Sequence, residues 1–190
     1  DPEDSALFEW YRTGNNTITS PKGSRIEGIG SGGPVVFGKT FSLLRTGVAT
    51  MFKIPDDASI AAMRFTGALT GYEPGPSTGT NLVGAFRLLE EMHRKGEQGA
   101  VVTIICDDGK RYRDTYYDAQ WLKSRELNQD RWRSALDTFW NSGKWNEPVR
   151  VEAALNILSA NTFFASCATH IANLGKYAGF QSEISAIQTI

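Results

Sequence analysis

Apolar residues recur along this chain in short stripes separated by Gly-, Pro- and Asn-rich turns, and each stripe predicts an element by its spacing. Leu7, Phe8 and Tyr11 follow Asp4 and Ser5, which suit a helix N-cap, and precede Gly14, a helix stop. Residues 15–33 are loop by composition. Within 32–50, Val35 to Phe37 is a candidate short strand and the rest has no clean period. Residues 51–55 read as a strand ended by Pro55. Asp56 and Asp57 then cap a helix over 56–69, with Ile60, Met63 and either Ala68 or Leu69 on one face. Residues 71–79 form a turn region. A second helix over 80–95 carries Leu82, Ala85, Phe86, Leu89 and Met92 on one stripe and stops at Gly96. Residues 100–106 are apolar except for Thr103, which predicts a parallel strand covered by helices on both faces. Asp107, Asp108 and Gly109 end it. A helix over 130–141 turns Trp132, Leu136, Phe139 and Trp140 inward, and another falls near 149–158.

Helix, strand and Gly-rich turn alternate, so the pattern predicts an α/β fold with a parallel sheet. In such sheets ligands sit where strand ends run into helix N-termini. Composition narrows the function classes. Twenty basic against 21 acidic residues give a net charge of −1, with no basic stripe for nucleic acid. No apolar run approaches the roughly 20 residues of a membrane helix. Cys106 and Cys167 are too few for a disulfide framework and lack metal-ligand spacing, so no metal site is expected and a reduced, cytoplasmic setting is. His93 and His170 are the only histidines, and neither sits in a catalytic or zinc pattern. The opening Asp1, Pro2, Glu3, Asp4 without methionine reads as the interior of a longer protein.

The segment GPSTGTN at 75–81 stands just before the second predicted helix. Ser77, Thr78 and Thr80 can cap that helix, while Gly75 and Gly79 allow a sharp turn or a close approach. Taken alone, a plain N-cap is the simpler reading. Three other features stand in a telling order around it: Asp1-Pro2 with Ser5, the EGIG loop at 27–30, and the stretch CDDGKRY at 106–112 after the apolar strand. Together these resemble the C-terminal half of fold-type II pyridoxal-phosphate (PLP) dependent enzymes, the cysteine synthase and cystathionine β-synthase family. The PSTGTN wording and DTYYD at 114–118 are similar to a cysteine synthase-like or cysteine desulfhydrase-like subgroup. The resemblance covers 1–145 and leaves 31–50 and the divergent, helical tail at 146–190 without a counterpart.

The resemblance implies a tryptophan synthase β-like fold: a partial parallel sheet flanked by helices, with the N-terminal half missing. It implies PLP as cofactor and β-replacement or β-elimination on cysteine or O-acetylserine-type amino acids. It places the Ser77 hydroxyl at the pyridine nitrogen, and Gly28 and Gly30 in the loop against cofactor and substrate. A hydroxyl is a poor acid and leaves that nitrogen largely unprotonated, whereas an aspartate would hold it protonated. Asp108 stands where the family usually has a small polar residue. It either lies near that nitrogen or faces water in an Asp-Gly turn. The parent enzyme is expected to be a homodimer acting on a small amino acid. None of the eight lysines stands in a Pro-x-x-Ser-x-Lys setting, so no Schiff-base lysine is found and this chain alone is expected to be inactive. The contrasting reading is a non-catalytic relative that binds a partner subunit.

Overall fold

A computed structural model describes residues 1–33 and 45–148, together with the backbone of 35–36 and 39–40. The predicted helix over 149–158 lies outside the described residues. Five helices carry the architecture: α1 (Leu7–Thr13), α2 (Asp56–Thr70), α3 (Pro76–Lys95), α4 (Ala119–Ser124) and α5 (Arg133–Ser142). Short 3₁₀ turns stand at Arg45–Gly47, Gly109–Tyr112 and Asp130–Trp132. The strands β1 (Val35–Val36) and β2 (Lys39–Thr40) pair antiparallel, Val35 opposite Thr40.

Helix α2 organises the interior because its first eight residues are buried on every side. Ala58, Ala61 and Ala62 meet Ile54, Val83 of α3, and Trp132, Ala135 and Leu136. Ile60 and Met63, on another face of α2, pack with Ile26, Tyr112, Tyr116, Leu122 and Leu127. Small residues on the first face let α3 lie close. At Gly79 a Cβ would collide with the Ser59 carbonyl of α2, so only glycine fits this crossing.

Several helix starts differ from their sequence signals. Ala6, not Asp4 or Ser5, is the N-cap of α1, yet Ser5 Oγ accepts from Leu7 N–H at 3.2 Å and Asp1 Oδ2 from Phe8 N–H at 3.1 Å. Pro55 is the N-cap of α2, so Asp56 and Asp57 lie inside its first turn and cap nothing. Helix α3 begins at Pro76, four residues before the predicted start, because proline at the first helical position loses no hydrogen bond. Helix α4 was not anticipated; Asp118 caps it by accepting from Trp121 N–H at 2.6 Å. Trp132 is buried as expected, but Trp140 is 65% exposed and only touches Phe65 edge-on.

The predicted parallel strand is the main correction. Residues 100–106 adopt no regular secondary structure and join no ladder among the described residues, and Val102 and Ile104 are 92% and 71% exposed. A strand is stabilised only by neighbours on its edges and faces, and no described segment supplies them. One parallel contact is present: Pro2 bridges Ile54, with Ile54 N–H donating to Asp1 O at 2.8 Å.

Candidate functional site

The site grows from the first two turns of α3. The end of the apolar segment is drawn against this helix by a bridge between Pro74 and Asp108. Gly75 N–H donates to Asp107 O, and Gly109 N–H to Glu73 O, each at 2.7 Å. Tyr112 closes over the bridge, its hydroxyl donating to Asp107 Oδ2 at 2.9 Å. Burial, then that bond, holds its phenol pKa above the ordinary range.

Nearly every polar side chain of the PSTGTN segment is committed to structure. Thr78 Oγ1 accepts from Cys106 N–H at 2.9 Å, and Asn81 Nδ2 donates to Ile104 O at 3.1 Å, so both fasten the apolar segment. Thr80 Oγ1 donates to Ser59 Oγ at 2.8 Å and locks α3 to α2. Ser77 differs. It is only 6% exposed, it lies inside the helix behind the Gly75 N-cap, and among the described residues its hydroxyl has no hydrogen-bond partner. The N-cap reading of Ser77 is thereby removed. Its oxygen retains access to solvent, which leaves it open to a bound group.

The glycine loop is built separately and meets the same apolar cluster. Ile26 is buried beside Met63, Tyr112 and Tyr116, while Gly28 and Gly30 are exposed. Both glycines have positive φ, +86° and +83°. At Gly30 a Cβ would press on Ser24, whereas at Gly28 it would meet open space. The loop's far end is fixed by Ser5, whose Oγ accepts from Ser31 N–H at 3.0 Å. Ser5 and the EGIG loop, remote in sequence, are therefore one unit.

Asp108 takes a turn-capping position. Its Oδ1 accepts from Lys110 N–H at 2.8 Å, its Oδ2 lies 3.7 Å from Lys110 Nζ, and the side chain is half exposed. Sequence reasoning missed the tyrosines that bind these pieces together. Tyr116 contacts Tyr112 edge-on, donates to Arg25 O at 2.6 Å and accepts from Glu27 N–H at 3.2 Å. Burial pushes its pKa up to about 12, so it stays a neutral donor. The DTYYD stretch was the available signal. Among the described residues no cluster of His, Cys, Asp or Glu could hold a metal ion.

The residues present suit one edge of an aromatic cofactor: an unspent serine hydroxyl at the positive end of a 20-residue helix, with no ionised carboxylate bonded to it. Comparison with known proteins leads to the same cofactor. Residues 1–107 match the family described as pyridoxal-phosphate dependent enzyme. The chain is 46% identical over 145 residues to the L-cysteine desulfhydrase Cds1 of Mycobacterium tuberculosis, covering 76% of this chain and 38% of that protein. It is 28% identical over 130 residues to cysteine synthase 1 of Emericella nidulans, covering 67% and 33%. Against cysteine synthase 1 of Neurospora crassa it is 30% identical over 127 residues, covering 67% and 32%. The chain thus spans less than two fifths of each relative's length. Its family match takes in Ser5, the EGIG loop and Ser77 alike, and the chain belongs to the pyridoxal-phosphate dependent enzyme family.

Proposed function

We propose that this chain forms the ring-facing side of a PLP site in an enzyme of cysteine metabolism, acting by β-elimination or β-replacement. Elimination, releasing sulfide from cysteine, is the favoured direction, because identity to the desulfhydrase is 46% against 28% and 30% to the two synthases. Residues 1–145 contribute the catalytic-domain portion and 146–190 a divergent segment. The parent enzyme acts as a homodimer on a small amino acid.

When bound, the cofactor supplies an electron sink for charge developing beside its ring. Ser77 would face the pyridine nitrogen, donating from its hydroxyl while leaving that nitrogen unprotonated. The N-terminal end of α3 reinforces this, since its partial positive charge opposes a proton there. Gly28 and Gly30 would lie alongside, where side chains would narrow the approach. Asp108 is read as a turn cap rather than a ring partner. The observation that carries the assignment is the Ser77 hydroxyl, uncommitted on a largely buried residue in a segment whose other polar side chains are all used.

The test is sulfide release from L-cysteine by the holoenzyme that contains this chain. Ser77→Ala is expected to lower the rate about tenfold, the size of one net hydrogen bond. Ser77→Asp, which would hold a proton on the nitrogen, is expected to lower it about 100-fold or more. Equal rates for the two variants overturn the assignment. The second reading, a non-catalytic partner subunit, draws on the lack of a Schiff-base lysine setting among the eight lysines. Cofactor-dependent sulfide release that requires Ser77 would exclude it.

A further inference from the structure

Behind the glycine loop stands one carboxyl group whose bonding is unusual. Asp56, the first residue of α2, is 1% exposed. Its Oδ2 accepts from Arg25 N–H at 3.2 Å, and its Oδ1 has no hydrogen-bond partner among the described residues. Its own N–H donates to Glu3 Oε1 at 3.3 Å. Tyr116 holds the same stretch through Arg25 O and Glu27 N–H. The backbone just ahead of Gly28 is therefore gripped by two buried side chains from separate elements.

We propose that Asp56 is a positioning residue for the glycine loop, its buried carboxyl holding the Arg25 amide against Tyr116, so that gain of charge on this carboxyl loosens residues 25–30. The functional meaning of the clamp rests on reading Gly28 and Gly30 as cofactor-side, whereas the clamp itself is a property of this chain.

The charges facing Asp56 come from every side. Glu3 and Asp4 approach from the N-terminal segment, Arg25 from the loop, and Tyr116 from the turn after Gly109. Its neighbour Asp57 is engaged elsewhere, with Arg131 at 2.5 Å and Trp132 Nε1 at 2.9 Å. Burial first, and then Glu3, push the Asp56 carboxyl from 3.8 up to about 6, while the Arg25 N–H pulls it down. The upward shift prevails and is reciprocal: a buried carboxyl that holds its proton is more easily uncovered once it has lost it. The switch thus falls within the range where the charge can be gained or lost without unfolding acid conditions.

The experiment is amide hydrogen exchange on the holoenzyme that contains this chain, from about pH 5 to about pH 8, corrected for the intrinsic pH dependence of exchange. Protection at Arg25 is expected to fall about tenfold across this range, with its midpoint near 6 where the Asp56 side-chain carbon titrates. Asp56→Asn, which keeps an acceptor oxygen but no charge, is expected to flatten the profile. A flat wild-type profile overturns the clamp and needs no variant, and so does an unchanged profile in Asp56→Asn. Either result would stand apart from the Ser77 comparison in the holoenzyme, which tests the cofactor reading separately.

Discussion

At Ser77 what separates a hydroxyl committed to the fold from one left open comes down to who accepts and donates. Thr78, Thr80 and Asn81 each close a bond to a neighbouring segment, and Ser77 closes none among the described residues. Asp56 shows the opposite economy, an ionisable group kept half-satisfied in the interior. Its folded pKa near 6 lies above its ordinary 3.8, so the folded state binds the proton more tightly. The stability this group contributes is then fully present below 3.8 and lost as pH rises through 6. Asp56→Asn is therefore expected to be more stable than wild type by about 1–2 kcal/mol at pH 8, with the gap closing near pH 4. Urea denaturation at the two pH values checks this, and a gap independent of pH would contradict it. The sequence pointed to Ser77, Gly28 and Gly30 through local wording, but Asp56 was read as a cap because aspartate at a helix start is a cap signal. Its true partners, Glu3 and Arg25, lie 53 and 31 residues away. No local pattern records such a pairing.

Among the elements, α2 and α3 carry the site because they cross closely at Ser59 and Gly79. Gly79→Ala would force the helices apart at a backbone carbonyl that cannot rotate away. A loss of about 3 kcal/mol is expected, as for an overpacked core. Thermal denaturation measures it, and a loss below about 0.5 kcal/mol, ordinary for a surface change, would contradict the crossing. Helices were legible because their periodicity and glycine stops are local: Gly14, Gly71, Gly96 and Gly143 all end helices in the left-handed conformation. The apolar run at 100–106 was read as a buried strand, yet its fate depends on neighbours that the run itself does not encode. What the structure does give it is an anchor at one end, through Thr78 and Asn81.

For the whole molecule, the exposed Val102 and Ile104 set the behaviour of the chain in isolation. The family has the tryptophan synthase β-like fold. The described residues supply the helices and one parallel bridge of that architecture, and the chain spans 38% of the desulfhydrase it resembles. Burying an exposed Val or Ile is worth about 1.5–3 kcal/mol each, enough to drive association through this exposed apolar stretch. The isolated chain is expected to self-associate, and Ile104→Lys to shift it toward monomer in sedimentation velocity. A wild-type chain that stays monomeric at high concentration would contradict this. No helix among the described residues is long and apolar enough to cross a membrane.

The proposed contact between the Ser77 hydroxyl and the pyridine nitrogen of PLP can be read by nitrogen-15 NMR of labelled cofactor in the holoenzyme. An unprotonated, hydrogen-bonded nitrogen is expected in wild type, a weaker hydrogen bond in Ser77→Ala and a protonated nitrogen in Ser77→Asp. The same nitrogen shift in all three proteins would contradict it.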